Sequence, residues 1–104
     1  MKYGLSEHQI GEIIHILSIY PEIEEAILFG SRATGTFKKA SDIDLVINGK
    51  KVDGALAAKL KEHLEDETHL PFFFDVIAYP SITAESLKKQ IHDYGIVLYH
   101  QARK

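Results

Sequence analysis

The chain has 104 residues, a net charge of −3 with histidine neutral, and no cysteine. This length suits one domain with a single core, so we expect residues 1–104 to form one domain. The composition excludes disulfides and thiolate zinc sites, and no apolar run approaches the roughly 20 residues that cross a bilayer. Without a basic excess or an apolar leader, the chain predicts a cytoplasmic protein that neither binds a membrane nor grips nucleic acid strongly.

The first half of the chain predicts a helix, a strand, a short helix and a second strand. A capping box of Ser6 and Gln9 opens the first helix. Its apolar stripe is Ile10, Ile13, Ile14 and Leu17. The expected bounds are Ser6 to Ile19 for the helix, Glu25 to Phe29 for the strand, a short helix capped by Ser31, and Asp42 to Asn48 for the second strand.

The second half repeats this alternation of helix and strand. Asp53 has the side chain of an N-cap, and leucines at four-residue spacing follow it. The expected bounds are Asp53 to about Thr68, strand Phe72 to Tyr79, helix Thr83 to about Tyr94, and strand Ile96 to Tyr99. This order favours an α/β (α+β) fold with a mixed β-sheet of about four strands flanked by helices.

A phosphate-binding turn is predicted where the first strand ends at Gly30. The free N–H groups at the start of the following helix suit a phosphate, and glycine allows it to approach closely. Ser31 can add a hydroxyl hydrogen bond. Arg32 can pair with a phosphate or with the sheet edge. An ordinary capped turn remains the alternative.

Acidic side chains begin the second strand. Asp42 and Asp44 are two residues apart, so on a strand they share one face with their Cα atoms about 6.5 Å apart. Two carboxylates so arranged can bracket Mg²⁺, which prefers oxygen ligands and keeps water and phosphate in its shell. The alternative is a pair of solvated strand-end residues.

Asp75 is a single charge in the otherwise apolar segment 72–78. Burying a carboxylate there is costly unless it is paired or bound to a cation. We therefore expect Asp75 beside Asp42 and Asp44 on a neighbouring strand, where two magnesium ions would offset the mutual repulsion. A solvated position on an edge strand is the alternative. Phe72, Phe73 and Phe74 favour packing over stacking on a nucleobase.

These motifs together resemble a known family. Gly30-Ser31, ten intervening residues and Asp42-Ile43-Asp44, followed by Asp75, are similar to the signature of the DNA polymerase β-like nucleotidyltransferases. The Gly-Ser-Arg-Ala-Thr-Gly segment looks most like the minimal nucleotidyltransferases (MNT) of prokaryotes. Thr34 departs from the pattern, because many members carry a second arginine there.

The resemblance implies a palm-like fold and a role for each residue. Asp42 and Asp44 would hold two magnesium ions, and Asp75 would hold the catalytic one and help deprotonate the attacking hydroxyl. Gly30 and Ser31, with Arg32, would bind the phosphates of ATP or another nucleoside triphosphate.

The resemblance also implies a partner. Minimal members act as antitoxins beside a helical HEPN ribonuclease toxin and adenylylate one of its tyrosines. Since the chain holds little beyond the catalytic sheet, we expect it to borrow surface in a homodimer or a hetero-oligomer. Two other functions remain open: a binding module that silences the HEPN partner by contact alone, and, less favoured, a sugar-nucleotide glycosyltransferase using Asp-x-Asp.

Overall fold

The computed structural model describes residues 1–102 of the chain, so the last two residues of the expected domain lie outside the described part. Helices and strands alternate along it as the sequence predicts. They are α1 (Glu7–Ser18), β1 (Glu25–Phe29), α2 (Ser31–Thr34), β2 (Ile43–Asn48), α3 (Gly54–Asp66), β3 (Phe74–Ala78), a 3-10 turn (Tyr79–Ser81), α4 (Glu85–Tyr94) and β4 (Ile96–His100).

The four strands form one mixed sheet in the order β3-β2-β1-β4. β1 is antiparallel to both of its neighbours, β2 and β4, whereas β2 and β3 are parallel. A parallel pair needs a crossover connection, and α3 supplies it. The predicted sheet of about four strands is therefore confirmed.

The larger core lies between the sheet and helices α1 and α3. The first helix begins with the predicted capping box of Ser6 and Gln9, and Asp53 caps α3 through the backbone N–H of Leu56. Three side chains of each helix are buried: Ile13, Ile16 and Leu17 from α1, and Ala57, Leu60 and Leu64 from α3. They pack on every second residue of the strands, which fixes the strand register relative to the core.

A smaller core covers the opposite face of the sheet. Its buried members are Phe29, Val46, Ile82 and Ile91. Residues two apart on a strand share a face. Asp44 therefore lies on the face of Val46, and Asp75 lies on the face of its partly buried neighbour Ile77. This is the face on which α4 packs against β1.

The element bounds differ from the prediction where proline or a missing cap intervenes. β3 ends at Ala78 because Pro80, which has no N–H, belongs to the 3-10 turn that follows. The fourth helix begins at Glu85 instead of Thr83. Its N-cap residue, Ala84, has no polar side-chain atom that could accept a capping hydrogen bond. None of the helices in the described part of the chain has the length and apolar character that crossing a membrane requires.

Candidate functional site

The turn after β1 depends on the backbone of Gly30. Its φ of 72° lies in the left-handed region that favours glycine. Gly30 is also the N-cap of α2, so the prediction that Ser31 caps this helix is wrong: Ser31 is its first residue. The carbonyl of Gly30 accepts from the N–H groups of Ala33 and Thr34, and the first N–H groups of a helix have no acceptor within it.

Gly30 also lies directly against a carboxylate. Phe29 pairs with Asp44 across the antiparallel β1–β2 ladder, so the next residue, Gly30, reaches the side chain of Asp44. A Cβ atom on Gly30 would overlap Oδ2 of Asp44 and lie 3.0 Å from its Cγ. Position 30 therefore has no room for a side chain beside Asp44, whether or not a phosphate binds there.

The three candidate aspartates come from two neighbouring strands. Asp44 pairs in register with Asp75 across the parallel β2–β3 ladder. Paired residues of neighbouring strands point to the same face. Asp42 immediately precedes β2, two residues before Asp44. β3 is an edge strand and Asp75 is exposed, as the alternative reading expected, yet Asp75 lies beside Asp44.

Asp44 carries the electrostatic cost of this arrangement. Its side chain is half-buried, and burial raises the pKa of its carboxyl above the usual value. The neighbouring charges of Asp75 and Asp42 raise that pKa further, while Arg32 opposes them. A bound cation would offset the repulsion between these carboxylates.

The acids do not form a closed cage. In the part of the chain that the structure describes, no group of three or more His, Asp or Glu side chains is close enough together to hold a metal ion. Mg²⁺ does not need such a cage, because it retains water and substrate phosphate in its shell. Half-buried Asp44, flanked by two exposed carboxylates, has the oxygen donors and the uncompensated charge that suit this ion.

Arg32, for which the sequence predicts a phosphate or the sheet edge as a partner, binds backbone carbonyls in the structure. Its side chain is only 2% exposed. Nε and Nη2 donate to the carbonyl of Ser41 at 3.2 and 2.8 Å, and Nη1 donates to the carbonyl of Tyr3 at 2.9 Å. A longer bond of 3.4 Å joins Nη2 to the carbonyl of Lys39. The guanidinium thus binds the protein's own backbone instead of pointing towards a phosphate.

The three phenylalanines of the 72–74 run have three different environments. Phe74 is in the core, and the ring of Phe72 faces the guanidinium of Arg32 at 4.9 Å. Phe73 is 72% exposed. Packing therefore accounts for two of the rings, as the sequence favours.

Solved structures share this fold. The chain superposes on a chain of a toxin–antitoxin complex with AMP-PNP at a TM-score of 0.74 and 26% identity, covering 88% of this chain and 73% of that one. A chain of the complex of tri-AMPylated Shewanella oneidensis HEPN toxin with MNT antitoxin superposes at a TM-score of 0.67 and 22% identity, covering 88% of this chain and 70% of that one. A putative nucleotidyltransferase from Sulfolobus solfataricus superposes at a TM-score of 0.58 and 19% identity, covering 95% of this chain and 85% of that one.

Most of the chain matches the model of one protein family. No curated protein sequence matches the chain. The model of the family described as "Polymerase beta, Nucleotidyltransferase" matches residues 11–104, which include the turn at Gly30 and all three aspartates. The chain therefore belongs to the polymerase beta nucleotidyltransferase family, as the resemblance of its motifs implied.

Proposed function

We propose that the chain transfers AMP from ATP to a tyrosine hydroxyl of a HEPN ribonuclease toxin and so acts as its antitoxin. The observation that carries the proposal is the register between Asp44 and Asp75 beside the turn at Gly30. This arrangement places acidic side chains next to the free N–H groups at the start of α2. The acids can hold a cation and accept the proton of the attacking hydroxyl, and the N–H groups can bind the phosphates of the triphosphate.

The proposed step is an in-line displacement at the α-phosphorus. The acceptor oxygen forms the new P–O bond, and its proton passes to the carboxylate of Asp75. The bond between the α-phosphorus and the oxygen that bridges to the β-phosphate breaks, and pyrophosphate leaves. The N–H groups at the start of α2 and the hydroxyl of Ser31 hold the β- and γ-phosphates.

Members of this superfamily generally use divalent metal ions. We propose two Mg²⁺ ions, held by Asp42 and Asp44 with Asp75 on the catalytic one. When bound, they would neutralise the negative charge on the α-phosphate and on the leaving pyrophosphate. The raised pKa of Asp44 supports this assignment, because it results from burial of the carboxylate and from the neighbouring charges of Asp75 and Asp42.

The choice of nucleotide and partner is supported by what the structural neighbours contain. One is a toxin–antitoxin complex with AMP-PNP, and another contains a tri-AMPylated HEPN toxin with its MNT antitoxin. We propose residues 1–104 as a single minimal domain whose acceptor surface comes from such a partner. A cytoplasmic location follows from this proposal, because ATP and a ribonuclease's substrates are found there.

The alternative is a binding module that silences the HEPN protein by contact alone. A labelling experiment separates the two functions. The chain and Mg²⁺ are incubated with the product of the adjacent gene, tested as the HEPN partner, and with ATP labelled at the α- or the γ-phosphate. We expect label on the partner from α-labelled ATP only, lost in Asp44→Asn, and loss of the label after a tyrosine-to-phenylalanine change in the partner.

The outcomes separate the alternatives clearly. Co-purification of the two proteins without label transfer would contradict the enzyme and support the binding module. Transfer of the γ-label would indicate a kinase instead. Absence of both label and complex would reject the partner.

A further inference from the structure

The N-terminal turn lies against the loop that carries Asp42, and Arg32 joins them. Lys2 and Leu5 exchange backbone hydrogen bonds of 3.0 and 2.7 Å around Tyr3 and Gly4. Tyr3 has a φ of 58° and Gly4 a φ of 75°. Both central residues of a tight I′-type turn have such values. Leu5 then anchors the turn in the core, where it is fully buried.

Positive φ at Tyr3 is unusual for a residue with a side chain. Such a conformation costs on the order of 1–3 kcal/mol and persists where surrounding contacts enforce it. Here the carbonyl of Tyr3 accepts a 2.9 Å hydrogen bond from Nη1 of Arg32. Gly4 is equally constrained, because a Cβ there would lie 2.6 Å from Nη1 of Arg32 and 2.5 Å from the ring of Phe37.

The other side of Arg32 holds the peptide that leads into Asp42. Two of its nitrogens donate to the carbonyl of Ser41, at 3.2 and 2.8 Å. That oxygen and the nitrogen of Asp42 belong to one planar peptide group, so fixing the first orients the second. The N–H of Ile43 donates to the carbonyl of Phe73 at 3.0 Å. The backbone of Asp42 is thus fixed on both sides although its side chain is exposed.

Aromatic rings hold the guanidinium in this position. Its Cζ atom lies 5.2 Å from the ring centre of Phe37 and 4.9 Å from that of Phe72. Cation–π contacts of this kind are favourable within about 6 Å. Lysine cannot replace the arrangement, because it has no planar fork of donors.

We infer that Arg32 is a positioning residue: together with the N-terminal turn it sets the place of Asp42 and hence the geometry of the divalent-cation site. The inference deepens the proposed function and rests on it, because Asp42 is there assigned to the metal. It also excludes Arg32 from direct contact with the triphosphate.

The test compares Arg32→Lys, Arg32→Met and Gly4→Ala with wild type. Gly4→Ala touches neither metal nor nucleotide. Gly35→Ala is the matched control, since Gly35 has a φ of 87° but a Cβ there would meet no atom within 4 Å. Thermal unfolding establishes that each variant is folded at the assay temperature; if Arg32→Met is not, Arg32→Lys and Gly4→Ala decide the test.

Two measurements then follow. One is Mn²⁺ affinity without nucleotide, from a paramagnetic-resonance titration. The other is kcat and KM for ATP in AMP transfer. We expect all three test variants to bind Mn²⁺ at least about fivefold more weakly and to lose about 10- to 100-fold in kcat, with KM for ATP within about threefold. Gly35→Ala should lose stability and keep both the affinity and kcat.

Four results would overturn the inference. A raised KM with unchanged kcat and Mn²⁺ affinity would make Arg32 a phosphate ligand. Full activity of Arg32→Lys would mean that only its charge matters, and an equal loss in Gly35→Ala would mean that only stability matters. A wild type that binds Mn²⁺ without transferring AMP would contradict the proposed function, while the affinity series would still decide the role of Arg32. Absence of Mn²⁺ binding both without and with ATP would refute both.

Discussion

Replacing Gly30 with alanine tests the contact on which the site depends. The added Cβ would overlap Oδ2 of Asp44 and lie 3.0 Å from its Cγ. To reach an ordinary contact the carboxylate must retreat by about 1 Å, and a displacement of that size in a catalytic group costs on the order of 100-fold in rate. That factor is about 2.7 kcal/mol of activation free energy. The backbone of Gly30, with a φ of 72° and a ψ of −154°, lies in a region that essentially only glycine adopts, so alanine adds on the order of 1–3 kcal/mol of strain to the folded state.

The assay is AMP transfer from α-labelled ATP, measured beside thermal unfolding. We expect Gly30→Ala to unfold roughly 4–24 °C lower than wild type and to lose activity about 100-fold at a temperature where it remains folded. Gly35→Ala has a φ of 87° and a ψ of 5°, in the αL region, and no such contact, so it should lose less stability than Gly30→Ala and retain activity within about threefold. Equal activity of the two variants would refute the claim that Asp44 requires a glycine beside it.

Three other substitutions have distinct expected outcomes. Asp75→Asn should stay folded and lose transfer, and undiminished pyrophosphate release would contradict its role. The pKa of Asp44 is raised in the folded state, so its charge penalises folding above that pKa and the penalty disappears as the pH falls through it. Asp44→Asn without divalent cations should therefore unfold at a higher temperature than wild type at pH 7, by a margin that shrinks towards pH 4; a constant margin would contradict this. Tyr20→Phe removes a 2.8 Å hydrogen bond to Nδ1 of His63 and should lose about 0.5–1.5 kcal/mol in urea unfolding with transfer unchanged.

Local signals in the sequence were sufficient to predict the elements and their order. The capping box at Ser6 and the N-cap at Asp53 are observed, because side-chain caps depend on residues only three apart. The start of α4 was misplaced by two residues, since Ala84 gives no capping signal. The strand order β3-β2-β1-β4 was not predicted, because it depends on contacts between segments far apart in sequence.

The contacts around the candidate site divide in the same way. The spacing of Asp42 and Asp44 predicts a shared face, since a strand has a period of two, although β2 begins only at Ile43, one residue after Asp42. Their approach to Asp75 is predicted from the cost of burying a lone carboxylate and from the resemblance to a family, because no local rule gives the register between β2 and β3. The environment of Arg32 was missed. Tyr3 lies 29 positions away from it, and the only local signal of the N-terminal turn is Gly4.

The arrangement of the sheet explains why one end of β2 is so densely constrained. β2 has an antiparallel neighbour on one side and a parallel neighbour on the other. The end of β1 and the start of β3 therefore meet at the start of β2, which brings the turn at Gly30 and the carboxylate of Asp75 to Asp44. A carboxylate between such neighbours is costly without a cation, as its raised pKa reports. Stability that the fold loses there should return when a divalent cation binds, because a ligand that binds only the folded state stabilises it.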